Sequence, residues 1–547
     1  MPPFPASDKA DCARGSAPRA TRRRALKAGA AGLVAAALPA NATEARQATP
    51  MADATPAASA QPLPEGVLAV MRQPHYRPWT RWGLHVADLE TGEALFDLAG
   101  GDRYVPGSTT KLFPASAALV KFGPDHRFVT RVFADGDVAD GVLAGNLVLV
   151  AAGDLAFGGR TNPDGSLAYG EIDHTDANAL PGVVVPPGNP LAGLEDLAAQ
   201  VAAAGISRVE GDVVIDDRLF PAMPKDGYVL SPVLVNDNVV DVLATPGAEG
   251  EPATVRLIPE TAFFPLAADV TTGAAGSAPD LAIALDDEGG LTVSGSVPSD
   301  GGDVLNVYEV QDPAVFARAC FVEALARAGV AVAAPVVAPN PDPDAFAPAG
   351  DPVATLESAP LAELVKVTLK VSHNVWADTL VMLLGAGNGA GSWDAGFAAI
   401  REMLIDLGID PAAISLADGR GNERADMFSP RSICDLLRAM AARPEGEALA
   451  DALPILGVDG TETHAVPADS PVRGKAAAKS GTTAVGDLLN QQILLLGKAS
   501  AGYMTGESGR RVAYGVYVND VPLERIEDVY ATIADQGAIA AALYEEI

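Results

Sequence analysis

The sequence predicts an α+β, mixed architecture in which strands and helices come in separate runs of the chain. Three observations carry that prediction. A strand-like hairpin delivers the chain to a helix beginning near Ser108. A β-rich block, mostly short strands and turns, follows from about residue 128 to 310. The last third turns helical, then closes with three strands and one more helix. A length of 547 residues suits two or three domains. Apolar residues at 48% and charged residues at 20% describe a globular chain. The net charge of −32 argues against nucleic acid or an anionic membrane as partner, because polyanions bind basic surfaces.

The N-terminus carries Arg22, Arg23, Arg24 and Lys27, then an apolar run over 28–38, then Ala40-Asn41-Ala42. A basic region, a short apolar region and a small-x-small site are the parts of an export signal. The paired arginines give it a twin-arginine character, although Ala25 stands where phenylalanine is usual. A signal peptide over 1–42 is therefore expected, with the rest exported to the periplasm or outside a prokaryotic cell. The apolar run is too short to span a bilayer, so no transmembrane helix is expected after cleavage. Residues 43–62, rich in Ala, Thr, Pro and Ser, read as a linker. Of the three cysteines, Cys320 and Cys434 fall in predicted helices and read as buried free thiols, with a disulfide as the alternative. No metal-ligand spacing involves them, and neither metal nor cofactor is expected.

Residues 82–88 alternate as a strand, 89–92 turn, and 93–98 return. His75 and His85 show no evident partner and read as structural. Pro106-Gly107 breaks the chain, and 108–122 follows as a helix with Leu112, Ala115, Leu119 and Phe122 at helical spacing. Pro114 inside it predicts a kink or an irregular second turn. Residues 128–133 and 146–151 are short strands. Residues 154–190, rich in Gly, Pro and Asp, read as a solvated surface loop, with a metal at His174 and its neighbouring carboxylates as the alternative. A helix at 194–204, strands at 212–217, 253–258, 281–285 and 291–295, and a helix at 313–328 complete the β-rich block. Helices follow at 361–369, 375–384, 393–407 and 430–442. Strands at 476–482, 491–496 and 511–518 precede a closing helix at 524–544.

Three short patterns carry chemistry. Ser108 and Lys111 sit at i and i+3, on one helix face. A serine hydroxyl is a weak nucleophile until a base takes its proton. A lysine serves as that base only if burial or nearby positive charge brings its pKa well below ~10.4. At a helix start, Ser108 also has backbone N–H groups aimed at developing negative charge. The other patterns are Ser372-His373-Asn374 and Lys479-Ser480-Gly481-Thr482. With Asp and Thr as middle residues, this ordered set is the signature of serine β-lactamases and penicillin-binding proteins.

Around the motifs the chain resembles the class C low-molecular-mass penicillin-binding proteins, the D-alanyl-D-alanine carboxypeptidase/endopeptidase family. The matching stretches are 106–111, 123–128, 211–217, 369–378, 417–419, 457–461 and 474–482. The long gap between Ser108 and Ser372 fits, since this family inserts two domains there and compact β-lactamases do not. The resemblance implies a β-lactamase/penicillin-binding transpeptidase-like domain over 63–129 and 350–547, with an antiparallel sheet flanked by helices. It also implies an inserted domain over 130–235 and 310–349 and a nested β-rich domain over 236–309.

Residue by residue, the resemblance implies acylation of Ser108 by peptidoglycan stem peptides ending in D-Ala-D-Ala, with Lys111 as general base and β-lactams as inhibitors. Backbone N–H groups of Ser108 and Thr482 would form the oxyanion hole. Lys479 and the Thr482 hydroxyl would hold the terminal carboxylate. Ser372 would relay a proton to the leaving amine, and Asn374 would bind the acyl side and Lys111. Asp418 and Arg420 would lie in the substrate region, where Arg420 replaces the usual serine. On a strand, Lys479 and Gly481 face one way and Ser480 the other; Gly481 is expected to admit substrate close to the backbone. Side chains at 372 and 374 diverge on a helix, so both reach one cleft only at a helix break, which no Gly or Pro marks. His373 is expected to face solvent or to pack, with titration near neutrality as the alternative. A β-lactamase or related hydrolase, and a non-catalytic cell-wall-binding protein, remain the alternative readings.

Overall fold

The computed structural model describes residues 60–547, apart from 181, 348, 387–390 and 526–527. The expected signal peptide, and all but the last three residues of the expected linker, lie outside the described residues.

A five-stranded antiparallel sheet runs in the order Ala476–Asp487, Gln492–Thr505, Arg511–Leu523, Arg81–Asp88, Ala94–Leu98. Its two faces follow from the two-residue period of a strand. Val512, Tyr514 and Val516, with Leu84 and Val86, pack against Val67 of the helix Glu65–Met71 and against Ile539 and Leu543 of Asp528–Glu546. On the other face Ala513, Tyr517, Ala499 and Ala501 join Ile433, Leu436 and Leu437 of Pro430–Ala441. The helices Leu112–Phe122, Leu361–Lys370, Asn374–Ala386 and Trp393–Asp406 continue this second core.

Every residue from Leu112 to Leu119 is buried, so this helix is lined with protein on all sides. The irregularity expected from Pro114 comes before it, not after. Gly107–Lys111 is a 3-10 turn that runs into the α-helix at Leu112. Pro114 stands third in that α-helix, where a missing N–H costs little because first-turn donors have no intrahelical partner.

A mixed sheet of six strands uses Val129–Ala139, Val142–Val150, Arg208–Val209, Val213–Asp216, Ala331–Val332 and Ala354–Glu357, so its backbone extends to residue 357. The helices Ala192–Ala203 and Pro313–Arg327 cover it. Two three-stranded sheets lie between Val239 and Glu309. One apolar core runs through all three, joining Leu147, Ile215 and Phe321 to Val242, Leu257 and Val293.

Residues 154–190 have little regular structure, as their composition predicts. The expectation of a solvated loop is nevertheless corrected, because Asp154, Leu155, Phe157, Asp173 and His174 are buried. Leu155 and Phe157 enter two apolar cores, which draws the segment inward. Cys320 and Cys434 are buried free thiols. His75 and His85 do have partners, Asp535 at 2.9 Å and Asp97 at 2.7 Å. Among the described residues no helix is long and apolar enough to cross a membrane.

Candidate active site

The first two motifs meet at Lys111. Its Nζ lies 2.7 Å from Ser108 Oγ, 2.8 Å from Asn374 Oδ1 and 3.3 Å from the Arg420 carbonyl oxygen. Lys111 is wholly buried, and burial, partly offset by Asp176, Asp378 and Asp418, lowers its pKa to about 8. A neutral amine has two N–H groups and one lone pair. The two carbonyl oxygens take the N–H groups, which leaves the lone pair for the Ser108 hydroxyl.

The nucleophile turn abuts the edge strand Ala476–Asp487 backbone to backbone. Gly107 has φ +52, and a Cβ there would stand 2.5 Å from Thr482 N. A Cβ on Gly481 would collide with the Pro106 carbonyl oxygen and lie 2.9 Å from Ser108 N. Within the protein itself, the close approach Gly481 permits is that of the 106–108 backbone. Ser480 points away from Lys479, with Oγ 3.4 Å from Thr461 Oγ1.

The helix break required at 372–374 is present. Leu361–Lys370 ends, Ser372 adopts φ +62, and Asn374–Ala386 begins. The His373 N–H donates to the Thr368 carbonyl at 2.9 Å, a helix-ending bond that ordinarily accompanies glycine at the left-handed position.

Lys479 is almost fully buried and donates to the Ser480 carbonyl at 2.7 Å. Burial and the charge of Lys111 hold its pKa well below the usual lysine value. Thr482 is exposed, and its Oγ1 accepts from Lys498 Nζ at 2.9 Å. Lys498, which sequence reasoning missed, is buried, and burial lowers its pKa to about 8 against the opposing charge of Glu462. Asp176 was missed too. Its Oδ1 accepts from Asn374 Nδ2 at 3.3 Å, and burial with the neighbouring Asp173 raises its pKa to about 6.

Asp418 and Arg420 stand differently from expectation. Asp418 is wholly buried, and its carboxylate accepts the N–H groups of Arg420, Gly421, Asn422 and Glu423. It shapes the turn that brings the Arg420 carbonyl to Lys111. The Arg420 guanidinium is buried over the Tyr228 ring, facing Asp226, Asp378 and Asp418, because that cluster of carboxylates captures it. Neither side chain lies open to a substrate.

His373 is also corrected. It neither faces solvent nor merely packs: it is fully buried between Asp173 and Asp237. Asp173, His174 and Asp237 are close enough together to ligate a cation. However, the Arg160 guanidinium already donates to Asp237 Oδ2, the oxygen that also faces His174 Nε2 at 2.8 Å. That donor set is an ion-pair cluster.

The family model for the D-Ala-D-Ala carboxypeptidase 3 (S13) family matches residues 67–540. The D-alanyl-D-alanine carboxypeptidase of an Actinomadura species is 31% identical over 496 residues, spanning 85% of this chain and 81% of that protein. The carboxypeptidase DacB of Haemophilus influenzae is 24% identical over 453 residues, spanning 80% and 85%. The crystal structure of penicillin binding protein 4 (dacB) from Haemophilus influenzae superposes with a TM-score of 0.64 at 21% identity, covering 88% of this chain and 98% of that one. A second crystal structure of that protein holds a β-lactam. The motif order, the shared fold and a family match over most of the length lead to one conclusion: this chain belongs to the D-Ala-D-Ala carboxypeptidase 3 (S13) family.

Proposed function

We propose that this serine-type D-Ala-D-Ala carboxypeptidase works in the cell envelope through an acyl-enzyme on Ser108. It would remove terminal D-alanine from peptidoglycan stem peptides, or cut their cross-links, and be acylated by β-lactams. The observation that carries the reading is the environment of Lys111, a buried amine whose only unassigned valence points at Ser108 Oγ.

Neutral Lys111 accepts the Ser108 proton as Oγ attacks the carbonyl carbon between the two D-alanines. The Ser108 and Thr482 N–H groups, carried by the abutting turn and edge strand, serve as donors to the oxyanion. Lys111 then returns the proton through the Ser372 hydroxyl to the leaving amine, and the C–N bond breaks. Water, deprotonated along the same route, hydrolyses the ester and frees Ser108. Lys479 and Thr482 hold the terminal carboxylate. Because Thr482 Oγ1 accepts from Lys498, its own hydrogen is free to donate to that carboxylate. Asn374 positions Lys111 and the acyl portion of the peptide.

Digesting cross-linked and uncross-linked muropeptides side by side tests this. D-Alanine release by the wild type that is lost in Ser108→Ala is expected. Release that persists in Ser108→Ala would contradict the reading, and the ratio of the two products sets carboxypeptidase against endopeptidase action.

A further inference from the structure

The 371–373 turn carries two of the groups assigned to the reaction, yet its conformation is not one its sequence favours. Ser372 sits at φ +62 without being glycine. A left-handed non-glycine residue is sterically disfavoured and persists only where its surroundings hold it. The surroundings here come from far along the chain. The His373 Nδ1 lies 2.9 Å from the Asp173 carboxylate, and its Nε2 lies 3.3 Å from Asp237 Oδ2. The ring stacks on Trp376 at 4.6 Å and 15°, and Trp376 Nε1–H donates to Asp237 Oδ1 at 2.6 Å.

The other side of this contact is strained as well. Asn236, Asp237 and Asn238 have φ of +51, +56 and +58. Asp237 is held there by Arg160 and His174, and His174 Nδ1 is 2.7 Å from Asp241. Charges balance across the cluster. Asp173, Asp237 and Asp241 supply three negative charges, and Arg160 with two imidazolium rings supplies three positive. Burial disfavours charged imidazoles, but the carboxylates on both rings prevail: the His373 pKa is raised and that of His174 rises to about 10. The same short stretch that supplies Asp173 supplies Asp176, whose carboxylate accepts from Asn374. One segment of residues 173–176 therefore grips two consecutive residues of the motif.

We propose that His373 is a positioning residue: with Asp173 and Asp237 it forms a buried ionic clamp that holds the strained Ser372 turn and so aims Ser372 and Asn374 at Lys111. The clamp rests on the roles assigned above to Ser372 and Asn374. It gives residues 154–190 and 236–241 a task in catalysis, since they supply the carboxylates. It also gives a reason for histidine between Ser372 and Asn374: a cationic ring presents one nitrogen to each of two carboxylates arriving from different directions.

The test compares wild type, His373→Gln, Asp173→Asn and the double variant. For each, the rate of covalent labelling by a fluorescent penicillin, the final labelling stoichiometry and the melting temperature are measured. Glutamine keeps the approximate length and a polar end but loses the charge. The expected result is labelling slowed by about tenfold to a hundredfold in each single variant, the range that slight misplacement of reacting groups produces. Stoichiometry at long times stays complete, because folded sites are present but misaimed. The double variant should be no slower than the worse single variant, since both remove one interaction.

Wild-type rates in variants that remain folded would overturn the proposal. So would slower labelling in which the two substitutions act independently, or a stoichiometric divalent ion found in the purified protein by elemental analysis. If His373→Gln fails to fold, Asp173→Asn still decides, because it perturbs the clamp from the inserted segment. Failure of the Ser108 reading is distinguishable, since the wild type itself would then not label. Trp376 gives an independent readout. A stacked imidazolium quenches indole emission, so the wild type should brighten as pH rises through the His373 titration and His373→Gln should not.

Discussion

Replacing Asp176 by Asn should move the pH at which the enzyme switches on. Its carboxylate faces Asn374 Nδ2 at 3.3 Å, and the same amide's oxygen is 2.8 Å from Lys111 Nζ. Charge and amine are therefore separated by about 7 Å, and at an effective dielectric of about 20 one unit charge at that distance is worth about 2 kcal/mol. Dividing by 1.36 kcal/mol per pH unit gives a shift of between about one and two units. The sign follows from which form of lysine the carboxylate favours. An anion stabilises the ammonium form, so Asp176 holds the Lys111 pKa up near 8 against burial. Asparagine keeps an acceptor for Asn374 and removes the charge. Lys111 should then lose its proton at lower pH, and the midpoint of the acylation profile should fall from about 8 to between about 6 and 7. The assay is the second-order rate of labelling by a fluorescent penicillin across pH 5 to 10 (a window chosen to bracket lysine and carboxylate titration). A midpoint that stays put or moves upward would refute Lys111 as the base tuned by Asp176.

Lys498→Met removes a buried cation and the donor to Thr482. The KM for a peptide ending in a free carboxylate should rise about tenfold or more, as expected for loss of a charged hydrogen bond, with little effect on the amide-capped analogue. An equal effect on both would place Lys498 outside carboxylate binding. Gly107→Ala puts a methyl group 2.5 Å from Thr482 N at φ +52. It should cost about 1 to 3 kcal/mol in chemical denaturation and slow acylation by at least about tenfold. A variant that melts and labels like the wild type would show that the turn and the edge strand are not locked together.

Much of this was legible where information is local. The hairpin at Arg81–Leu98, the closing helix and the helices bearing Leu361 and Trp393 come from periodicity within single elements. Ser108 and Lys111 were legible because both lie on one turn. Other parts depend on distant partners. Nothing adjacent to His373 announces Asp173 or Asp237, which reach it only after the chain folds back.

Lys498 shows a subtler obstacle. The tip pairs Asp487 with Gln492, and a regular ladder from there would set residue 497 opposite Thr482, sending Lys498 to the other face. A bulge at Thr483/Ala484 shifts the register by one and brings Lys498 opposite Thr482. Gly481 carried partial information for a related reason: glycine on a strand announces a close approach but not that the 106–108 backbone makes one. Asp418 and Arg420 are expected in the substrate region because the family resemblance implies it, but burial among Asp226, Asp378 and Tyr228 turns them inward.

The central claim is that Ser108 becomes covalently acylated after giving its proton to Lys111. Intact-mass measurement of the protein incubated with benzylpenicillin, followed by peptide mapping, tests it most directly. One adduct per chain, on the peptide containing Ser108, is predicted for the wild type, with no adduct on Ser108→Ala and a greatly slowed one on Lys111→Met. An adduct on another residue, or one of undiminished yield on Ser108→Ala, would contradict the account.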